Sequence, residues 1–390
     1  MSIVEYSRLY AALPDFLAGK NCAVIDLAAL RHNYRVLRAR AGGRTCICVV
    51  KAEAYGHGMA EVGRALFDEG CRTFAVSCLG EALALREAVA DADILIFGQT
   101  PPESVSLLVQ HNLTATVYSI ESARELAAEA ARLGVMLSVH IKLDTGMNRL
   151  GFAAYGEKAD GDAVSAVAEV FSMKNLKVKG IYSHFAKADE ADEADTRRQA
   201  ERFLAMTGAL EARGFSLGMR HICNSAGAMR FADEYGMDAV RLGFALYGYH
   251  PDATEALDLR PVMRLESEIT HLHTLLPHER VGYGGTFESD APRLVATVGI
   301  GYADGWLRAY GGARVTVHTE DGDFSVPVIG RICMDQCMLD VTDLPVKRGD
   351  RVTLFGQSAA ELETLAKMAK TIPYECLCLI SSRVPRVVKK

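Results

Sequence analysis

Between residues 46 and 242 the chain alternates short apolar runs with helical patterns, and it does so eight times. The strand-like runs are Cys46–Lys51, Thr73–Val76, Ile94–Phe97, Thr114–Val117, Ser138–Leu143, Val178–Ser183, Arg220–Cys223 and Ala239–Leu242. Between them lie helical stretches such as Met59–Glu69, Leu79–Ala90, Glu103–His111, Ile120–Leu133, Asp162–Phe171 and Asp195–Arg213. A first helix precedes them all. Asp26 stands as its N-cap, and Leu27, Leu30, Tyr34 and Leu37 recur at helical spacing. Strands alternating with helices predict a parallel sheet. Eight such units over about 200–250 residues suit a closed α/β barrel of the (β/α)8 TIM type.

The pattern changes near Val262. Strand-like runs then dominate: Leu265–His273, Leu294–Gly299, Arg314–Val317, Phe324–Ile329 and Arg351–Phe355, with one late helix at Ala359–Ala369. The expected organisation is an extension over 1–22 that packs on the C-terminal domain, a barrel over 23–260, and a mainly-β domain over 261–390.

Bulk properties narrow the function. The net charge is −6 and no basic stripe is present, which argues against nucleic acid as a partner. No run approaches the roughly 20 apolar residues that span a bilayer. The first 19 residues carry Glu5 and Asp15 and lack a basic start before an apolar core, so a secretory signal is not expected and a cytoplasmic location is. The ten cysteines sit mostly in apolar runs, as Cys46, Cys48, Cys376 and Cys378 do. Without two matched C-x-x-C pairs, a metal site is not expected; structural thiols in a reducing compartment are.

In a (β/α)8 barrel the active site forms at the C-terminal ends of the strands. The conspicuous polar residues lie there. Lys51 ends the first run, and Asp144 to Arg149 follows the fifth. His184 follows the sixth, Asn224 and Ser225 the seventh, and Arg241 and Gly243 mark the eighth. Each has a plain structural reading. A lysine after a strand is usually a solvated charge, a lone histidine a hydrogen-bonded structural group, an arginine an ion-pair partner. Tyr283 and Tyr302, in Gly-rich loops, read singly as packing residues. Only their joint placement on one rim favours chemistry.

Those residues fall in runs that resemble the alanine racemase family. The runs are Val50-Lys51-Ala52-Glu53-Ala54-Tyr55-Gly56-His57-Gly58, Lys142 to Gly151, Tyr182 to Ala186, and Arg241 to Gly248. Gly282-Tyr283-Gly284, Gly301 to Trp306, Gly330 to Asp335 and Pro373-Tyr374-Glu375 continue the series in the same order. Singly they are weak; together they cover the chain from Ala23 onward.

The resemblance implies a pyridoxal 5'-phosphate enzyme that interconverts L- and D-alanine by a two-base mechanism and supplies D-alanine for peptidoglycan. It implies a head-to-tail homodimer in which the C-terminal domain completes the partner's active site. Lys51 is then the cofactor-bearing amine and one base; Tyr283, lent across the interface, is the base on the other face. Tyr55, Asn224, Ser225, Gly243, Phe244 and Tyr374 are implied around the cofactor, chiefly its phosphate. Arg149 is implied for the cofactor's phenolic oxygen and the substrate carboxylate, with Cys333, Met334 and Tyr302 bordering the substrate. His184 and Arg241 are implied as neighbours of Tyr283 and of the pyridine nitrogen. Lys142 is a candidate for carbamylation. The alternatives are a serine racemase of the vancomycin-resistance type and a broad small-amino-acid racemase. Tyr374, where serine racemases carry a small polar residue, favours a methyl side chain.

Overall fold

The computed structural model describes residues 21–155, 162–251 and 256–389. The extension expected over 1–22, with its packing, lies outside the described residues except for Asn21 and Cys22. The described chain divides into two compact units. One comprises residues 30–54, 59–155, 162–251 and 256–259; the other comprises 21–29, 55–58 and 260–389.

The chain opens with strand β1 (Cys22–Asp26), followed by the helix Leu27–Arg40. Asp26 caps that helix as expected, its Oδ1 accepting from the Ala29 N–H at 2.9 Å. Leu30, Tyr34 and Leu37 form its buried stripe.

The first unit is a parallel barrel. Its strands are β2 (Thr45–Val49), β3 (Thr73–Val76), β4 (Asp93–Ile96), β5 (Leu113–Val117) and β6 (Leu137–Asp144). The two-residue β7 (Phe152–Ala153) pairs on the side of β6, and β8 (Leu176–Tyr182), β9 (Met219–His221) and β10 (Ala239–Leu242) complete the set. All eight expected strands are present, in the order β10-β2-β3-β4-β5-β6-β8-β9. The ring closes through Asp238 N–H to Arg220 O at 3.1 Å and Arg241 N–H to Cys223 O at 3.0 Å. All of β5 is buried, as parallel strands under helices must be.

Three details depart from expectation. The first strand stops at Val49, because residues 52–55 take left-handed dihedrals that no strand accommodates. Pro102 starts a 3-10 turn (Pro102–Ser104) ahead of a short helix, Val105–Gln110, where one continuous helix was expected. The helix Ser225–Tyr235 was not anticipated; Gly227 weakens its intrinsic propensity, yet Asn224 caps it, its Oδ1 accepting from the Gly227 N–H at 2.9 Å.

The second unit is strand-rich. Its strands are β11 (Met263–Leu275), β12 (Arg280–Val281), β13 (Phe287–Glu288), β14 (Arg293–Val298), β15 (Arg314–Thr319), β16 (Gly322–Ile329), β17 (Cys337–Asp340), β18 (Arg351–Phe355) and β19 (Arg386–Lys389). The 13-residue β11 pairs with β18 through its first half and with β14 through its second, closing a ring with β17, β16 and β15. Strand β1 belongs here too. It runs antiparallel to β11 and parallel to β19, so residues 23–26, expected with the barrel, join the C-terminal sheet. The late helix Ala359–Ala369 is present.

Candidate active site

The barrel's C-terminal rim begins with a strained turn. After β2, Lys51 opens a five-residue turn in which Ala52, Glu53, Ala54 and Tyr55 all have φ between 52° and 54°. Left-handed residues with a Cβ cost about 1–2 kcal/mol each and normally occur singly. Such a run persists only if neighbours over-determine it, and here they do. Glu81 Oε1 accepts from the Ala52 N–H at 2.7 Å while its Oε2 accepts from the Ser77 N–H at 2.6 Å. Ala54 N–H donates to Val50 O at 2.9 Å, and Glu53 Oε2 accepts from the Met59 N–H at 3.2 Å. Glu81 thereby ties the half-buried Lys51 turn to the end of β3. It carries no sequence signal beyond an acidic residue in a helix's first turn.

Inside the barrel a polar column replaces the usual apolar filling. His140 and Lys142 on β6, Tyr182 on β8, His221 on β9 and Arg241 on β10 are all buried. Burial of so many polar groups is costly unless they are bonded to one another. Arg241 organises them. Its Nη1 donates to His221 Nδ1 at 2.8 Å and to His221 O at 3.2 Å. Its Nη2 donates to His184 Nδ1 at 3.0 Å and to the carbonyls of Ser183 and Ile222, both at 2.8 Å.

A guanidinium can only donate, so both histidines must accept on Nδ1 and carry their proton on Nε2. His221 Nε2 then donates to His140 Nδ1 at 3.1 Å. The Tyr182 ring stacks on His221 at 4.8 Å and 6°, and Tyr182 Oη shares a 3.1 Å bond with Thr116. Gly180 makes room for this column; a Cβ there would lie 2.6 Å from His140 Cε1.

The electrostatics follow from burial. Desolvation, with Arg241 next, holds His184 and His221 well below the usual imidazole range. Burial brings His140 down to about 3 and Arg241 down to about 10. The three imidazoles are neutral at pH 7 and the guanidinium is not. Burial, then Arg241, pulls the Lys142 amine well below its ordinary value. Lys142 Nζ donates to Leu143 O at 3.0 Å and lies 5.1 Å from the centre of the Tyr182 ring.

Other rim groups come from loop and helix starts. Asp144 Oδ1 accepts from the N–H groups of Gly146, Met147 and Asn148 at 2.9–3.1 Å, a turn that presents Arg149 at the surface. Ser225 begins the helix Ser225–Tyr235, whose first N–H groups have no acceptor within the helix. Ser225 Oγ accepts from the Gly243 N–H at 2.9 Å, joining that helix start to the 3-10 turn Phe244–Tyr247. Lys51, Arg149, His184, Asn224, Ser225 and Gly243 thus follow the barrel's strand ends, with Lys142 and Arg241 on β6 and β10 and Phe244 opening the 3-10 turn after β10.

The remaining candidates lie in the other unit. Tyr55 and Tyr374 face each other with ring centroids 6.3 Å apart. Burial and Tyr374 raise the Tyr55 phenol above its ordinary value. Tyr283 is 70 % exposed on the turn Tyr283–Gly285. Met334 and Tyr302 are exposed as well. Their loops are stitched together: Tyr302 N–H donates to Cys333 O at 3.1 Å and Ala303 N–H to Met334 O at 3.0 Å. Sequence reasoning missed Glu81, His140, Thr116, Tyr182 and His221. The i, i+2 pair His140 and Lys142 on one strand face was the available signal for the column.

The rim therefore carries a donor-only buried arginine, a capped helix start beside a backbone turn, and an amine on a strained turn. Comparison with known proteins identifies the family. Residues 25–251 match the family model described as alanine racemase, N-terminal domain, and residues 262–388 match its C-terminal domain. An alanine racemase of Clostridium tetani is 37 % identical over 374 residues, covering 94 % of each chain. One of Methanococcus maripaludis is 38 % identical over 373 residues, covering 94 % of this chain and 97 % of the relative. The solved alanine racemase of Clostridium difficile 630 superposes with a TM-score of 0.88 at 36 % identity, covering 95 % of this chain and 96 % of that one. That of Bacillus anthracis, solved with bound L-Ala-P, superposes at 0.86 with 30 % identity and 95 % coverage of both chains. The chain belongs to the alanine racemase family.

Proposed function

We propose that this enzyme interconverts L- and D-alanine with pyridoxal 5'-phosphate held at the barrel rim. The supporting observation is the surroundings of Arg241: every acceptor it meets is neutral, and no carboxylate pairs with it among the described residues. An enzyme that needs a protonated pyridine nitrogen would place an acid there; Arg241 would offer a fixed donor instead.

The residues fit the group. When bound, the cofactor acidifies the Cα proton of an amino acid. Lys51 would hold it through the ε-amine and move a proton on one face of Cα. Ser225, with the N–H groups at the helix start and at Gly243 and Phe244, suits the phosphate; Asn224 fixes that helix start, and Tyr55 and Tyr374 complete the set. Arg149 would take the substrate carboxylate through a bidentate fork, bordered by Cys333, Met334 and Tyr302. Arg241 would meet the ring nitrogen as a donor, leaving it unprotonated and disfavouring side reactions such as transamination.

Tyr283 would be the proton carrier on the opposite face, lent by a second copy in a homodimer with shared sites. His184 would orient its hydroxyl. Lys142, a buried amine that desolvation and Arg241 hold well below its ordinary value, has the chemistry to take up CO2 as a carbamate and so turn into an anion that steadies Arg149. Domain roles follow the two units: a cofactor-binding barrel, and a strand-rich domain completing the partner's site. Supplying D-alanine to peptidoglycan in the cytoplasm fits this activity. No helix among the described residues is long and apolar enough to cross a membrane.

The test is incubation of cofactor-loaded enzyme with L-alanine and with L-serine, followed by chiral chromatography. The reading expects alanine to reach equal amounts of both enantiomers, with serine turned over more slowly. Release of carbon dioxide, or no D-alanine, contradicts it.

A further inference from the structure

The opposite end of the barrel, where β2 and β3 begin at Thr45 and Thr73, holds a cleft of about 570 Å³. That size lies within the range of small-molecule sites. Four guanidiniums line it, from Arg35, Arg38, Arg44 and Arg72, in a chain whose net charge is −6.

Only one of the four bonds directly to a carboxylate, and that carboxylate, Glu69, also feels the charge of Arg38. Arg35 donates from Nε and Nη2 to Glu69 at 2.5 and 3.1 Å. Arg38 makes no hydrogen bond or ion pair among the described residues. Arg44 and Arg72 donate only to neutral carbonyls: Arg44 to Ala41 at 3.0 Å, Arg72 to Phe67 and Cys71 at 2.7 and 2.9 Å. Those bonds position the two side chains without neutralising them. Arg44 Nε is moreover a buried donor with no partner, and an unmade bond of this kind is destabilising.

The seat of Arg44 is built into the fold. A Cβ at Gly236 would stand 2.4 Å from its Nε and 2.6 Å from its Cδ. It would stand as close, 2.4 Å, to the Ala232 carbonyl oxygen, so Gly236 leaves room for the arginine beside the end of that helix. Arg38, Arg44 and Arg72 are like charges on one cleft, two of them fixed by backbone carbonyls, and they repel one another until an anion joins them. Guanidinium forks match the paired oxygens of phosphoryl and carboxylate groups.

We propose that this cleft is a second ligand site, separate from the racemase rim, and that it takes a compact oxyanion of two or more charges. Phosphoryl and carboxylate ligands share that chemistry.

The test is isothermal titration of the cofactor-loaded enzyme at low salt with inorganic pyrophosphate, with citrate, and with acetate as the singly charged control. Loaded enzyme is used so that the cofactor's own phosphate position is filled. Saturable binding of one pyrophosphate or citrate per chain, with none of acetate, is expected. Pyrophosphate alone would identify a phosphoryl ligand, citrate alone a carboxylate, and both would mean that charge is selected. Arg38→Gln, an exposed side chain whose loss breaks no bond, should weaken binding about tenfold, and adding Arg72→Gln should weaken it about tenfold more. Racemase turnover without the anion should not change in either variant. Absence of saturable binding by both polyanions, or equal binding by Arg38→Gln, overturns the proposal.

Discussion

Replacing Glu81 with alanine removes the acceptor for two backbone donors at once, the Ala52 and Ser77 N–H groups. A hydrogen bond to a charged group contributes about 1.5–3 kcal/mol, so the two together set a ceiling of about 3–6 kcal/mol. Glu81 is only half-buried and Ala52 is exposed, so water replaces much of that, and a net loss of about 1–3 kcal/mol is expected. The lost energy is local. It falls on the four left-handed residues that follow Lys51, the part of the rim with the highest intrinsic strain. A turn that relaxes by about 1 Å carries the Lys51 amine with it, and a displacement of that size costs about 10²-fold in rate.

Glu81→Ala should therefore lower kcat by about 10- to 100-fold while KM changes little. Glu81→Gln, which keeps one acceptor oxygen, should fall between it and the parent. Cofactor retention on gel filtration should drop in the same order, a readout that a general loss of stability at 25 °C would not reproduce. Glu125→Ala, on another barrel helix, is the control. If Glu81→Ala keeps full turnover and holds its cofactor, the turn does not depend on this carboxylate and the reasoning fails.

Other predictions address the remaining parts of the site. Tyr283→Phe should slow exchange of the Cα proton with deuterated solvent from one enantiomer much more than from the other; equal slowing contradicts separate faces. Arg241→Glu should produce the pyridoxamine form of the cofactor during turnover, seen in its absorption spectrum; clean racemisation speaks against the role given to Arg241. The depressed histidines fix a pH dependence. Each is neutral when folded, whereas the unfolded imidazole protonates near 6.5, so stability is fully present above that pH. It is lost as pH falls from 6.5 toward the folded value, about 3 for His140. Urea midpoints should drop across that window, and His140→Asn should make the drop shallower; an unchanged slope refutes the assignment. Lys142, if carbamylated, should give a carbonyl signal in ¹³C NMR with labelled bicarbonate that is missing in Lys142→Ala.

Much of this architecture was legible in the chain because parallel barrel strands are continuous apolar runs. Their ends were legible because Lys51, His184 and Arg241 interrupt those runs with polar residues. What was hidden depends on contacts remote in sequence. β1 looks like the start of the barrel, yet its partners lie at residues 263–266 and 386–389. The short β17 passed unnoticed because four residues carry too little alternation to register. His140, Tyr182 and His221 sit on three different strands, and only ring closure turns them into one hydrogen-bonded column under Arg241. Glu81 is an ordinary helix residue until the left-handed turn brings the Ala52 amide to it.

The most direct test of the account is reduction of the cofactor-loaded enzyme with borohydride, followed by peptide mapping. A phosphopyridoxyl group on Lys51 is the expected result. Its appearance on another lysine, or on none, would contradict the assignment of this rim.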